Sequence, residues 1–346
     1  MRARMRLLAR RIGPVVALFV IAQLPLLSGS PVLAATTGSP LLAGTTNGAT
    51  CANTSVGTTA LNDLGFGTYK GFQGGLYPDG RSVMPQAYQD IGVAEASKVQ
   101  PLAANGVPDP RGKIVLLSIG MSNAKLEFAS LIQASVAAGT TKPNVTLVDG
   151  AQSGFDADEI TVRTSTYWSA LLQILASQRV TADQVQVVWL KEAIGHENRP
   201  FPLDATSLQA DLRAIIGILD SLFPNLRLVY LASRTYAGYA TTTLSPEPFA
   251  YESGFAVKWL IQQDISTTVE EHPWLAWGPY LWTNGTVGRS DGFEWLCSDV
   301  TSDGTHPSPA GSATISKMLL SFFQTSPTTR GWFSSLPAPS PTPTRS

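Results

Sequence analysis

The chain has 346 residues, of which 44% are hydrophobic, so it can bury a sizeable core as one large domain or two ordinary ones. This composition excludes a collagen and a long disordered chain. The 24 basic and 25 acidic residues leave a formal charge of −1 without any basic block, which argues against a nucleic-acid partner. Charged residues make up only 14%, which favours a secreted surface.

Residues 1–35 have the pattern of a secretory signal peptide. An apolar run at 15–27 is followed by Val32-Leu33-Ala34, whose small residues suit cleavage near Ala34 or Ala35. The alternative is a membrane anchor, but a run of about 13 residues between Pro14 and Pro25 is shorter than the roughly 20 that a spanning helix needs. We therefore expect a secreted, extracellular protein without a stable membrane anchor. The positive charges before the run are Arg2, Arg4, Arg6, Arg10 and Arg11.

Only two cysteines are present, Cys51 and Cys297. An even number in an exported protein predicts one disulfide, and the alternative is two unpaired buried thiols. Neither cysteine has a His or Cys neighbour at metal-ligand spacing, and the chain has just three histidines. We therefore predict no metal site.

The chain changes character near residue 111. Residues 36–110 are rich in Gly, Thr and Pro without a sustained helical period, and they predict an irregular N-terminal extension. Residues 111–333 alternate apolar runs with amphipathic stretches and form the predicted main domain. The Pro/Ser/Thr-rich tail, 334–346, cannot build a core and is predicted to be disordered.

Five apolar runs in the main domain predict strands, and helices follow them. Parallel strands need crossover connections, which place helices on both faces of the sheet. The predicted fold is therefore a three-layer α/β/α sandwich with a parallel sheet of about five strands. The predicted strands are 113–119, 144–150, 185–190, 226–232 and 274–282, and the predicted helices are 124–138, 159–178, 206–223, 254–266 and 309–323.

Two loops at the predicted carboxyl edge of this sheet carry candidate catalytic residues. Ser122 follows the first strand on a tight turn, where the next backbone N–H groups can stabilise an oxyanion; alternatively it is only a helix cap. Asp303 and His306 lie three residues apart before the last helix. A serine nucleophile needs a histidine base, and that base needs an orienting carboxylate, so the three side chains form a minimal catalytic set.

Three segments together resemble blocks I, II and V of the SGNH/GDSL hydrolases. They are IGMSN (119–123), Gly154 in DGAQSG (149–154) and SDGTHPSPAG (302–311), and the resemblance covers roughly residues 111–325. It implies a flavodoxin-like fold with Ser122 as nucleophile, His306 as base and Asp303 as orienting carboxylate. It also implies an oxyanion hole formed by the backbone N–H groups of Ser122 and Gly154.

The sequence departs from this family at two places. Gly-Asp-Ser is replaced by Gly-Met-Ser, which resembles the Gly-x-Ser-Asn variant of sialate and xylan acetylesterases and leaves the nucleophile in place. In the third block, Ala193 stands where the family has the Asn that donates to the oxyanion. The side chains of Asn198, Lys191 or Gln152 are the candidates to replace it.

Other residues offer weaker alternatives. Asp291 and Asp299 compete with Asp303 as the partner of His306, although only Asp303 has the family's spacing. His196 and His272 lie in polar surroundings and are interpreted as solvated. An aromatic group near the fifth strand could stack on a sugar, but such residues are more often core. Its members are Trp274, Trp277, Tyr280 and Trp282.

The leading hypothesis is a secreted serine esterase that uses no cofactor and acts on a small-molecule or polysaccharide ester. One alternative is an acyltransferase with the same acyl-enzyme. Another is a non-catalytic carbohydrate or cell-wall binding protein on a decayed hydrolase scaffold. A classical α/β-hydrolase fits less well, because Ala124 stands where its serine motif ends in Gly. The oligomeric state and the acyl chain length are not predicted.

Overall fold

The computed structural model describes residues 51–267 and 273–337. Its first elements are helix α1 (Leu61–Leu64), a hairpin of strands β1 (Thr68–Tyr69) and β2 (Phe72–Gln73), and helix α2 (Gln86–Ser97). The 12-residue α2 corrects the prediction that this segment is irregular throughout. Its buried positions include Gly92, Glu95 and Ala96, which are small or charged, so the sequence has no apolar period there.

The central sheet has five parallel strands in the order β4-β3-β5-β6-β7. Their side chains are almost all buried in β3, β5, β6 and β7, as expected of strands covered on both faces. This strand order is that of flavodoxin-like folds. The strands are β3 (Ile114–Gly120), β4 (Val145–Asp149), β5 (Val185–Lys191), β6 (Leu228–Leu231) and β7 (Trp274–Trp277).

Helices cover both faces of the sheet. Parallel crossover connections are right-handed. The connection from β3 to β4 runs toward one edge of the sheet and places its helix on one face. The connections from β4 to β5, β6 and β7 run toward the other edge and place their helices on the other face. Accordingly, α3 packs on α7 and α5 packs on α6. The helices are α3 (Ser122–Ala138), α4 (Thr166–Ser177), α5 (Leu203–Leu222), α6 (Phe249–Ser266), α7 (Pro309–Thr325) and α8 (Arg330–Phe333).

The predicted three-layer α/β/α fold is confirmed, with differences at element ends. Helix α4 begins at Thr166 instead of near 159, because the Ser165 hydroxyl caps it by accepting from the Tyr167 N–H. Strand β7 ends at Trp277, before Gly278 and Pro279. The N-terminal segment shares the main core, since Leu61 and Tyr77 are buried in the same cluster as the sheet.

The predicted signal peptide, residues 1–35, lies outside the described residues, as does the end of the predicted tail at 338–346. Within residues 51–267 and 273–337, no helix has the length and apolar character needed to cross a membrane.

Candidate active site

Ser122 lies at the sharp turn between β3 and α3. Gly120, the last residue of β3, pairs in register with Lys191 of β5. A side chain at Gly120 would collide with the Lys191 carbonyl oxygen and the Ala124 methyl group. Glycine therefore allows the chain to turn there and presents Ser122, which is partly exposed, at the carboxyl edge of the sheet.

Asp303 and His306 belong to a tightly hydrogen-bonded loop before α7. One carboxylate oxygen of Asp303, Oδ2, lies 2.5 Å from His306 Nδ1. The other, Oδ1, accepts from the N–H groups of Thr305 (2.9 Å) and His306 (3.0 Å) and from the Thr301 hydroxyl (2.7 Å). The carboxylate thus fixes both the ring and the backbone of the loop.

The same contacts set the charge of Asp303. Partial burial by itself would raise the pKa of this carboxyl group, but the hydrogen bonds from His306, Thr305 and Thr301 outweigh it. The net pKa is lowered below its ordinary value. Asp303 is therefore ionised at neutral pH and can accept the Nδ1 proton of His306.

The structure brings the three predicted residues together. Ser122 Oγ lies 2.8 Å from His306 Nε2, across 184 residues of sequence. When Nδ1 carries its proton toward Asp303, Nε2 is free to accept the Ser122 proton. This arrangement can activate the hydroxyl as a nucleophile.

Gly154 lies on the loop after β4, which is hydrogen-bonded to the turn before Ser122. The N–H of Gln152 donates to the Gly120 carbonyl at 2.8 Å and joins the two loops. Gly154 itself is exposed, has φ of +85°, and has open space where a Cβ would stand. Its backbone is accessible, and its part in an oxyanion hole remains a prediction.

The three candidates for the missing oxyanion donor differ in their contacts. The Lys191 ammonium pairs with Glu127 of α3 inside the core. Gln152 donates its side-chain N–H to the Tyr167 carbonyl at 3.0 Å. Asn198 is exposed on the loop after β5, with its backbone N–H held by Asp204 at 2.9 Å.

The weaker alternatives are engaged elsewhere. Asp291 pairs with Arg289 at 2.7 Å, and Asp299 accepts the Leu296 N–H at 2.8 Å. His196 is exposed, whereas His272 lies outside the described residues. The aromatic group at β7 belongs to the core and offers no open stacking surface. Its members Trp274, Trp277, Tyr280 and Trp282 are all buried.

A buried charge cluster behind the catalytic edge was missed by sequence reasoning. Four of its side chains have one polar atom with no hydrogen-bond partner among the described residues. These atoms are Glu127 Oε2, Glu192 Oε1, Glu197 Oε2 and Arg234 Nε. Burial raises the pKa of Glu192 well above its ordinary value and that of Glu197 to about 7. The only sequence signal for this cluster was the presence of charged residues, such as Lys191 and Glu192, at the end of an apolar strand. The cluster is Glu127, Lys191, Glu192, Glu197 and Arg234, all buried.

The predicted disulfide between Cys51 and Cys297 is confirmed. It holds the start of the described chain against the segment that leads to the His306 loop. The Thr54 carbonyl accepts the Thr286 N–H at 3.0 Å, and the Val56 N–H donates to Asn284 Oδ1 at 2.8 Å. The N-terminal segment is therefore anchored to the loops that follow β7.

No family model matches the sequence, and no curated protein matches it. Several solved structures resemble part of this chain, and three of them are as follows. The first is a Bacillus subtilis protein designated YXIM, with 13% identity over 63% of this chain and a TM-score of 0.39; the match spans only 58% of that protein. The second is a carbohydrate esterase of family 3 from Talaromyces cellulolyticus, with 16% identity over 60% of this chain and 94% of the other, and a TM-score of 0.36.

The third is the periplasmic domain of a lipopolysaccharide acetyltransferase from Salmonella ser. Paratyphi A, with 14% identity over 67% of this chain and 94% of the other, and a TM-score of 0.38. These likenesses are distant. The chemistry of the site is therefore inferred from the residues of this chain.

Proposed function

We propose that this chain is a secreted serine hydrolase of the SGNH/GDSL type that cleaves carboxylic esters through an acyl-enzyme. The observation that carries the proposal is the continuous chain of contacts from Ser122 Oγ to His306 Nε2 (2.8 Å) and from His306 Nδ1 to Asp303 Oδ2 (2.5 Å). A binding protein has no use for this alignment, whereas acyl transfer to serine requires it.

The reaction follows from these positions. Ser122 Oγ attacks the ester carbonyl carbon while its proton passes to His306 Nε2, and ionised Asp303 stabilises the resulting imidazolium. The tetrahedral intermediate places its negative oxygen before the backbone N–H groups of Ser122 and Gly154. His306 then returns the proton to the departing alcohol oxygen. Water repeats the sequence on the acyl-serine and releases the acid.

Secretion is part of this proposal. The Arg-rich and apolar residues 1–35 and the Cys51–Cys297 disulfide support an oxidising, extracellular destination. Sequencing the N-terminus of the protein recovered from the culture medium tests it, and we expect the mature chain to begin after Ala34 or Ala35. Retention of the uncleaved chain in the cell would contradict it.

A panel of p-nitrophenyl esters of rising acyl length tests the activity. We expect turnover by the wild type, loss of at least about 10⁴-fold in kcat in Ser122→Ala, and unchanged kcat in the control Ser169→Ala. Ser169 is an exposed serine whose hydroxyl donates to the Thr166 carbonyl of its own helix. Equal activity of Ser122→Ala and wild type, or no turnover of any ester by folded wild type, would overturn the proposal.

A further inference from the structure

The residue after the nucleophile makes a contact that the catalytic set does not account for. Asn123 lies in the first turn of α3 and is only 4% exposed, although its side chain is polar. Its Nδ2 donates to the Thr305 carbonyl oxygen at 3.0 Å, across 182 residues of sequence. This bond joins the neighbour of Ser122 to the neighbour of His306.

Most hydrogen bonds of the His306 loop do not connect it to the helix that carries Ser122. The bonds from Asp303 to Thr305 and His306 are internal to the loop. Others attach the loop to the segment after β6: the Thr241 N–H donates to the Asp303 carbonyl at 2.9 Å, and the Thr242 and Thr305 hydroxyls lie 2.6 Å apart.

Only two hydrogen bonds within the described residues connect this loop directly to α3. One is the catalytic contact of Ser122 with His306, and the other is Asn123 with Thr305. The catalytic contact is broken and remade in each turnover as its proton moves, whereas the Asn123 bond takes no part in the proton transfer. A hydrogen bond that persists while the catalytic one changes can keep Ser122 and His306 in reactive geometry.

We infer that Asn123 is a positioning residue, which holds His306 at proton-transfer distance from Ser122 throughout the cycle by anchoring the Thr305 carbonyl to α3. The inference rests on the proposed function, since it concerns the same proton transfer. It assigns the Asn of Gly120-Met121-Ser122-Asn123 a role in the rate of the chemical step and none in substrate binding.

The competing explanation is purely structural: the amide satisfies a buried carbonyl and thereby stabilises the fold. The two explanations differ in one measurable quantity, the kcat of each molecule that is correctly folded. A structural bond changes how many molecules are folded. A positioning bond changes how fast each folded molecule reacts.

The experiment compares Asn123→Asp, Asn123→Ala and the control Asn284→Ala. Asn123→Asp keeps the shape and replaces the N–H donor by an acceptor, while Asn123→Ala removes the side chain. Asn284 is a matched buried asparagine, 6% exposed, whose side-chain Oδ1 accepts the Val56 N–H at 2.8 Å, a contact outside the His306 loop. Active sites are counted by the endpoint of fluorophosphonate labelling, and kcat is expressed per labelled site.

We expect kcat per labelled site to fall about 10- to 100-fold in both Asn123 variants, with KM changed less than about twofold and the labelling rate reduced in parallel. Asn284→Ala should lose melting temperature but keep its kcat per site. Asn123 variants with wild-type kcat per site, or with the change confined to KM, would overturn the inference while leaving the hydrolase intact. A wild type that neither labels nor turns over would overturn both.

Discussion

The Ser122–His306–Asp303 site and the buried charge cluster satisfy their polar groups differently. In the catalytic loop, both oxygens of Asp303 accept hydrogen bonds, four in all. In the cluster, Glu127, Glu192 and Glu197 each keep one buried oxygen without a partner among the described residues. The hydrogen bonds of the first region are complete. In the second region, burial raises the pKa of the three glutamate carboxyl groups.

This difference is consistent with a sequence that resembles the SGNH/GDSL motifs around the catalytic residues and departs from them in the third block. The catalytic contacts come from a short loop whose residues bond to each other. The third block lies where β5 ends, and there Lys191 pairs with Glu127.

Replacement of the orienting carboxylate should have the largest effect. Asp303→Asn removes the negative acceptor of His306 Nδ1, so the ring loses its working tautomer, and kcat should fall about 10⁴-fold with little change in KM. Steady-state ester kinetics measure the loss. Asp291→Asn serves as the control, because Asp291 pairs with Arg289, and it should stay within about twofold of wild type. A loss confined to Asp291→Asn would assign the orienting role to that residue.

Breaking the buried Glu127–Lys191 pair should destabilise the protein strongly. Lys191→Met leaves the Glu127 carboxyl group, which is fully buried, without its ammonium partner, so the free energy of unfolding should fall by about 3 to 5 kcal/mol. Urea denaturation measures it. The double variant Glu127→Leu, Lys191→Met should recover most of that loss, because it removes both charges. If the single variant is as stable as wild type, the pair does not depend on charge.

Asn198 is the candidate third oxyanion donor that we favour, because the side chains of Lys191 and Gln152 already donate elsewhere. Asn198→Ala should lower kcat by about 10²- to 10³-fold, or roughly 2.7 to 4 kcal/mol, with KM little changed. Gln152→Ala should retain its kcat, and ester kinetics distinguish the two. Wild-type kcat in Asn198→Ala would leave the oxyanion to the backbone N–H groups of Ser122 and Gly154.

The smallest effect concerns Glu197 and depends on pH. Burial raises its pKa to about 7 from an ordinary value of 4.5, so the folded state binds the proton more tightly than the unfolded state does. The contribution of this group to the free energy of unfolding is therefore greatest below pH 4.5. It falls by about 3 kcal/mol as the pH rises from 4.5 to about 7. Glu197→Gln should flatten that slope in urea denaturation across the range. An unchanged slope would show that another group titrates there.

The sequence predicted the fold because its signals are local. Apolar runs such as 113–119 and 185–190 are strands buried on both faces. Two other elements, α4 and α7, begin at capping serines, Ser165 and Ser308. Sequence reasoning missed α2, because three of its four buried positions, Gly92, Glu95 and Ala96, are small or charged and only Tyr88 is a large side chain.

For the site, the spacing of Asp303 and His306 was informative because their contact is formed within three residues. The contact of Ser122 with His306 spans 184 residues, so no local spacing marks it. It was predicted from the base that a serine nucleophile needs and from the resemblance to a family. The buried charge cluster escaped because it is assembled from β5, α3 and the segment after β6. No local pattern marks a glutamate of α3 as the partner of a lysine at the end of β5.

The most direct test of the central claim is covalent labelling of the folded wild-type protein with a fluorophosphonate near neutral pH, followed by peptide mapping. Only a hydroxyl activated by a neighbouring base reacts readily under these conditions. The account predicts one label, on Ser122, and none in Ser122→Ala. A label on any other serine, or the absence of a label on folded wild type, would contradict the assignment of Ser122 as the nucleophile.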